Sequence, residues 1–216
     1  MPYRRRIPTA VALALALGLT VAPARAAEIV ETFDAGKAPA QILGGSVKPG
    51  RDGAWNAALA DGTFTLSNDS DPQAVKYFKI DGFGGDNDGL ADASVAVDVD
   101  VDVGNAGDMA GAGIVYRFDA ANRSYLLFTL MGNDQYGAFA RGPNGFKPIA
   151  RGSVAGLRPG ANRLEVRTEG ERIVFLVNDT PAASLVVRGA TGKSVGLAAI
   201  GKGTFTFDNF AIRDEG

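Results

Sequence analysis

The sequence of 216 residues contains no cysteine and no histidine. The absence of cysteine excludes disulfide bonds, a thiolate nucleophile, iron–sulfur clusters and lipidated cysteine. The absence of histidine excludes an imidazole base, Ser-His-Asp and Cys-His catalysis, and zinc sites with histidine ligands. Any chemistry must therefore use carboxylates, Lys and Arg, Tyr, Ser and Thr, or a metal ion bound through oxygen.

The first 26 residues have the pattern of a secretory signal peptide. Arg4, Arg5 and Arg6 form a positive start, an apolar stretch runs from Ala10 to Val21, and a small-x-small cleavage pattern ends at Ala26. The apolar stretch is shorter than the roughly 20 residues that a membrane span needs. We therefore predict cleavage after Ala26 and a periplasmic or secreted bacterial protein, with an uncleaved anchor as the alternative.

Removal of residues 1–26 changes the charge of the chain. It takes away four arginines and no acidic residue, which leaves 18 basic against 24 acidic residues and a net charge of −6. This balance argues against nucleic acid or an anionic membrane surface as the main partner. We expect a monomer with no integral membrane segment after cleavage.

The rest of the chain has short alternating runs separated by Gly, Asn, Asp and Pro, and no long run of helical period. In Ser94 to Val103, valines at every second position alternate with Ala96 and three aspartates, which predicts a strand with its valines inward. Hydrophobic residues make up 46% of the sequence, enough for one substantial core. We predict one all-β domain over 27–216, a two-sheet antiparallel sandwich.

Twelve further runs are candidate strands. They are Ile29–Phe33, Thr63–Ser67, Val75–Lys79, Gly113–Phe118, Ser124–Met131, Tyr136–Arg141, Phe146–Ala150, Asn162–Thr168, Arg172–Val177, Ala182–Val187, Ser194–Ile200 and Thr204–Arg213. The region from Ala35 to Asp61 has the least pattern, and it is too short to form a separate domain.

The order of these runs resembles the concanavalin A-like lectin/glucanase superfamily, with the nearest likeness to laminin-G-like and family 16-like jelly-roll domains. The residues that carry the resemblance are Ala112–Phe118, Tyr125–Phe128, Asn162–Val166, Ile173–Asp179, Val195–Leu197 and Thr206–Phe210. The resemblance implies a jelly-roll sandwich. It leaves the activity open, since known members include lectins, glycan-binding modules, glucanases and 3-keto-disaccharide hydrolase-like proteins.

Two acidic patterns are candidates for chemistry. Asp98, Asp100 and Asp102 share one strand face at intervals of roughly 6.5–7 Å, which suits either a solvated face, a cation site or a pair of glycosidase carboxylates. The Glu-x-Asp-x-x-Glu pattern of family 16 glucanases is absent, so we assign no catalytic residue. Asp86, Asp88 and Asp92 lie in a loop that is either an ordinary turn or a structural calcium site. No cofactor is required.

Five residues are candidates for ligand binding. Arg117 lies between Tyr116 and Phe118, so a regular strand points it away from both rings and out of the sandwich. The resemblance places this strand in the concave sheet that carries ligands, where Tyr125, Thr129 and Arg141 are expected to share the face. The alternative for Arg117 is a surface arginine that pairs with a strand aspartate. Trp55, the single tryptophan, is either an exposed platform for a sugar ring or a loop anchor packed on the sandwich.

These observations leave three functions open. The first is an exported, non-catalytic binding module for glycans or small sugars. The second is a structural or interaction protein of the cell envelope. The third is a carbohydrate-active hydrolase that uses Asp carboxylates, like the 3-keto-disaccharide hydrolase-like members of the superfamily.

Overall fold

A computed structural model describes residues 28–34, 49–79, 93–104, 109–169, 171–190 and 192–214. These residues form fifteen strands in two antiparallel sheets and contain no helix. In the same ranges there is accordingly no helix that could cross a membrane. The predicted all-β sandwich is confirmed, and the predicted signal peptide lies outside the described residues.

The larger sheet has nine strands. In spatial order eight of them are β13 (Thr180–Leu185), β12 (Arg172–Val177), β11 (Asn162–Glu169), β6 (Ala93–Asp102), β15 (Gly203–Asp214), β4 (Thr63–Asn68), β3 (Trp55–Ala60) and β2 (Gly50–Asp52). The ninth, β1 (Glu28–Glu31), pairs with the second half of β15, while β4 pairs with the first half. The long strand β15 therefore lies inside the sheet, with β6 on one side and β1 and β4 on the other.

The smaller sheet has six strands. Their spatial order is β10 (Gly145–Ser153), β9 (Gln135–Gly142), β8 (Ser124–Met131), β7 (Gly111–Asp119), β14 (Ser194–Ile200) and β5 (Val75–Lys79). All of its pairs are antiparallel. The edge strands of this sheet are β10 and β5, and both contribute to the candidate site.

The main core lies between the two sheets. Val95, Val97 and Val99 of β6 are fully buried there, whereas Asp100 and Asp102 on the opposite face are exposed, as the alternation predicts. Aromatic rings fill the centre, for example Phe64 and Phe207, whose centroids lie 5.8 Å apart. Burial of apolar side chains from both sheets, at about 25 cal/mol per Å², stabilises a domain that has no disulfide.

The weakly patterned region 35–61 contains two strands that its sequence does not predict. Strands β2 and β3 form a hairpin there that joins the larger sheet through β4. A tight turn at positions 53 and 54 connects the two strands, and Gly53 has a φ of 60° that suits glycine. The apolar residues of β3 are mostly alanine, so the period-2 signal of this strand is weak.

Strands β7 and β8 approach each other closely at Gly113. A Cβ atom built on Gly113 would overlap the carbonyl oxygen of Phe128 on β8, and it would come within 2.9 Å of the Thr129 Cα. Backbone atoms cannot move aside as the end of a flexible side chain can. The pairing at the centre of the smaller sheet therefore requires glycine at this position.

Candidate functional site

The outer face of the smaller sheet, which points away from the larger sheet, carries a second apolar cluster. We call it the outer cluster. Its buried members are Val115, Phe118, Tyr125, Leu127, Met131, Phe139, Ala198 and Ile200. Solvated outer faces of antiparallel sheets are usually polar, whereas each of these eight residues is at most 7% exposed, so this outer face is apolar and largely buried.

An arc of aromatic rings runs along this face between the two edge strands. Tyr77 on β5 lies 5.5 Å from both Phe118 and Tyr125, and Phe146 on β10 lies 6.0 Å from Tyr125. Phe118 and Tyr125 stack at 5.6 Å with 23° between their planes. The two ends of the arc face solvent, since Tyr77 is 42% exposed and Phe146 is 38% exposed.

Tyr125 and Arg141 lie at the centre of this arc. They are register partners on β8 and β9, and Phe146 is the register partner of Arg141 on β10. The guanidinium carbon of Arg141 lies 5.4 Å from the Phe146 ring centroid, within the range of a cation–π contact. Tyr125 is 6% exposed, and this burial raises the pKa of its hydroxyl to about 12.

The predicted orientation of Arg117 is wrong. A β-bulge interrupts the pairing of β7 between Tyr116 and Asp119, and Arg117 at the bulge has a φ of 52°. Tyr116 therefore packs in the main core while Phe118 joins the outer cluster. The guanidinium of Arg117 donates to the carbonyl oxygen of Ala190 at 3.1 Å and to the hydroxyl of Thr168 at 3.4 Å.

A small cleft of about 120 Å³ opens where the β7–β8 hairpin, β9 and segment 187–190 meet. We call it the arginine cleft, because Arg117, Arg141 and Arg188 line it together with Ser124 and Tyr125. Three of the five predicted ligand-binding residues are thus brought together, although Arg117 acts by holding segment 187–190 in place.

Thr129 lies on the outer face as predicted, two alternations from Tyr125, but it is not available to a ligand. Its side chain is 1% exposed, and its hydroxyl donates to the carbonyl oxygen of Gly137 at 3.3 Å. Thr129 is not among the residues that line the arginine cleft. This hydrogen bond satisfies the buried hydroxyl of Thr129 within the sheet.

The platform role considered for Trp55 is contradicted by its burial. Trp55 belongs to β3 rather than to a loop, is 5% exposed, and packs with its ring centroid 6.0 Å from that of Phe205. The neighbouring Asn56 points to the opposite face of the sheet and is exposed. Alternation along β3 therefore places the indole in the main core.

A larger cavity of about 620 Å³ lies on the outer face of the larger sheet, opposite to the face in which Trp55 is buried. Arg51, Asn56, Ser67, Thr204 and Asp102 form its floor, in one row of register partners across five adjacent strands. Its described lining has both charge signs and no aromatic ring. It offers polar contacts, but no flat apolar surface on which a sugar ring could stack.

The aspartates of β6 face solvent or serve the fold. Asp98 accepts hydrogen bonds from Arg163 at 3.2 Å and from the side chain of Asn209 at 2.9 Å. No three acidic groups in the described part of the chain are arranged to hold a metal ion. The candidate calcium loop with Asp86, Asp88 and Asp92 lies outside the described residues.

One acidic side chain of the larger sheet is buried. Glu31 at the end of β1 is 1% exposed, and its Oε1 accepts a hydrogen bond from the backbone N–H of Phe33 at 2.8 Å. Its Oε2 has no hydrogen-bond partner among the described residues. Burial raises the pKa of Glu31, because the charged carboxylate loses its hydration.

Three residues of the site were missed by the sequence reasoning. Tyr77 alternates with the buried Phe78 in the predicted strand Val75–Lys79, so its outward direction could have been predicted. Phe146 follows a strong turn signal in a predicted strand, and nothing in that pattern indicates that its ring is exposed. Arg188 comes from segment 187–190, and nothing in the local sequence indicates that this segment reaches β8 and β9.

No known protein-family profile and no curated protein matches the chain. Solved structures do match it in fold. The carbohydrate-binding module CBM66 from Bacillus subtilis has a TM-score of 0.50 and 16% identity, covering 74% of this chain and 90% of the module. A Bacillus subtilis protein of unknown function with a galectin-like fold has a TM-score of 0.53 and 13% identity, covering 76% and 87%.

A third similar structure is the laminarinase catalytic domain from Thermotoga maritima, with a TM-score of 0.54 and 8% identity. The match covers 89% of this chain and 100% of that domain. At these identities the likeness is one of fold. The chain shares the two-sheet jelly-roll fold of these structures, which is the fold that the sequence resemblance implies.

Proposed function

We propose that the protein is an exported, non-catalytic module that binds carbohydrate on the outer face of its smaller sheet. The observation that carries this proposal is the arc of aromatic rings whose exposed ends, Tyr77 and Phe146, flank Tyr125 and Arg141. Aromatic faces offer flat apolar area for a sugar ring, and guanidinium and hydroxyl groups supply hydrogen bonds that fix its orientation. A fold shared with a carbohydrate-binding module and a laminarinase domain supports the same class of ligand.

The proposal is tested by exposing the protein without residues 1–26 to an array of polysaccharides and oligosaccharides. The Phe146→Ala and Tyr77→Ala variants should each lose binding by about tenfold, because each removes one exposed ring from the arc. Leu59→Ala is the matched control, since Leu59 is a similarly exposed apolar residue on the larger sheet. Binding to no member of the array, or an equal loss in all three variants, contradicts the proposal.

A second candidate function is a structural or interaction protein of the cell envelope. The exposed rings of Tyr77 and Phe146 beside the outer cluster favour it, because exposed apolar surface can bind another protein as well as a sugar. This function predicts no sugar affinity and co-purification with a protein partner that is released by Phe146→Ala. Clean isolation of the protein alone, together with glycan binding, decides against it.

A further inference from the structure

The charged groups that line the arginine cleft are all positive. Arg117, Arg141 and Arg188 line it, and among the described lining residues there is no aspartate or glutamate. The acid closest in sequence to the cleft is Asp119, whose side chain accepts hydrogen bonds from the turn residues Ala121 and Asn122. This concentration of positive charge stands out in a chain that carries a net charge of −6 once residues 1–26 are set aside.

The three arginines have different roles in the cleft. Arg117 fixes the wall, because its hydrogen bond to Ala190 holds segment 187–190 against the bulge of β7. Arg141 uses one N–H on the carbonyl oxygen of Gly142 at 2.7 Å, and Arg188 makes no ion pair or hydrogen bond with a described residue. A guanidinium carries five N–H donors, so Arg141 and Arg188 retain donors for a ligand.

The size of the cleft limits what enters it. A volume of about 120 Å³ corresponds to about four water molecules at ~30 Å³ each, which is too small for a complete ligand pocket of roughly 300 Å³ or more. It is large enough for one anionic group. Carboxylates and sulfates accept paired N–H donors from guanidinium groups, and such charge-assisted bonds are about twice as strong as neutral ones.

The position of Phe146 indicates what the anionic group is attached to. Its exposed ring lies 5.4 Å from the guanidinium carbon of Arg141, which lines the cleft. A sugar ring stacked on Phe146 would therefore bring a charged substituent near Arg141. We propose that the arginine cleft binds the anionic group of an acidic sugar, such as the carboxylate of a uronic acid unit. This inference rests on the proposed carbohydrate-binding function and names its ligand class.

The test is calorimetric titration with three probes of matched length: an oligogalacturonide, its carboxyl-reduced neutral counterpart, and a sulfated galactose oligosaccharide. We expect the oligogalacturonide to bind at least tenfold more tightly than the neutral probe. Arg188→Gln and Arg141→Gln should each abolish most of that difference, and Arg188→Lys should retain part of it. A sulfated probe that binds more tightly than the oligogalacturonide, and loses this advantage in Arg188→Gln, assigns the anion as a sulfate ester.

Arg172→Gln is the matched control for charge. Arg172 is exposed on β12 of the larger sheet, so this variant removes one positive charge without touching the cleft. An equal loss in Arg172→Gln and Arg188→Gln overturns the inference, because net charge alone then explains it. Equal affinity for the charged and neutral probes also overturns the inference. If binding is nevertheless lost in Phe146→Ala, the proposed carbohydrate-binding function stands. Failure of every probe overturns both.

Discussion

Arg117 and Ala190 are joined by a hydrogen bond of 3.1 Å, although they lie 73 residues apart in the chain. The bond links the bulge of β7 to the segment that follows β13, and so it joins the smaller sheet to a connection leaving the larger one. Gly192 lies at the same point, where a Cβ would overlap backbone atoms of Arg117 and Phe118. The hydrogen bond of Arg117 and the close approach at Gly192 both hold this part of the chain against the bulge of β7.

Replacement of Arg117 by methionine keeps an unbranched apolar stem and removes the hydrogen bonds. We expect the free energy of unfolding to fall by about 1.5–3 kcal/mol, the range for hydrogen bonds to charged groups. We also expect faster hydrogen exchange in residues 187–190. Denaturant unfolding and exchange mass spectrometry measure the two effects.

Arg172→Met is the control for this variant, and as an exposed substitution it should change stability by less than about 0.5 kcal/mol. If Arg117→Met is as stable as this control, the hydrogen bonds of Arg117 do not hold the segment.

Glu31→Gln should stabilise the protein at neutral pH. Because the folded pKa of Glu31 is raised, the folded state binds its proton more tightly than the unfolded state does. Stability therefore falls as pH rises from the ordinary glutamate value of 4.5 through the folded pKa, and the cost remains at higher pH. The glutamine has no charge to bury and so avoids this cost, and its amide oxygen can still accept the hydrogen bond from the backbone N–H of Phe33. Thermal unfolding at pH 4 and pH 7 should show an advantage only at pH 7.

Glu171→Gln is the control for this experiment, since Glu171 is exposed beside β12. A similar gain in Glu171→Gln indicates a general effect of net charge. A gain in Glu31→Gln that is equal at both pH values rules out titration of Glu31 as its cause.

Gly113→Ala should destabilise the smaller sheet, because the added methyl group overlaps the carbonyl oxygen of Phe128. We expect a loss of about 1–3 kcal/mol or more, as for overpacked sites whose neighbours cannot give way. Gly142→Ala is the control, since a Cβ there meets nothing within 4 Å. Chemical denaturation of both variants measures the difference, and equal stability would show that β7 and β8 can move apart at low cost.

The Asp98→Asn and Asp100→Asn variants should differ in stability, and neither should change ligand binding. Asp98→Asn weakens the ion pair with Arg163 and should cost about 1 kcal/mol, whereas the exposed Asp100 should tolerate the same change. Both lie on the outer face of the larger sheet, so glycan affinity should be unchanged. A glycosidase assay that lost turnover in either variant would favour the hydrolase alternative.

Regular alternation made much of the fold predictable. The runs Ser124–Met131, Arg172–Val177 and Ser194–Ile200 coincide with observed strands, because each is dense in β-branched, leucine or aromatic residues with polar turns nearby. The same rule failed at Arg117. A bulge adds one residue to a strand and reverses the faces beyond it, and the local sequence gave no sign of it.

The candidate site depends on contacts between distant parts of the chain, which periodicity does not report. Tyr125 and Arg141 could be placed side by side from two neighbouring strands. Arg188 could not, because the path of segment 187–190 is set by its tertiary hydrogen bond to Arg117. Trp55 packs on the sandwich, as one of its two predicted alternatives has it, but it does so from a strand, which the mostly alanine signal of β3 does not indicate.

The central position of β15 has a consequence for the order of folding. This strand is the last in the described chain, yet it provides pairing partners for β1, β4 and β6. The larger sheet cannot be completed until the ribosome has released residues 203–214, and such long-range pairing is slow. Late completion of this sheet is therefore compatible with export of the chain before it folds, if the predicted signal peptide directs export.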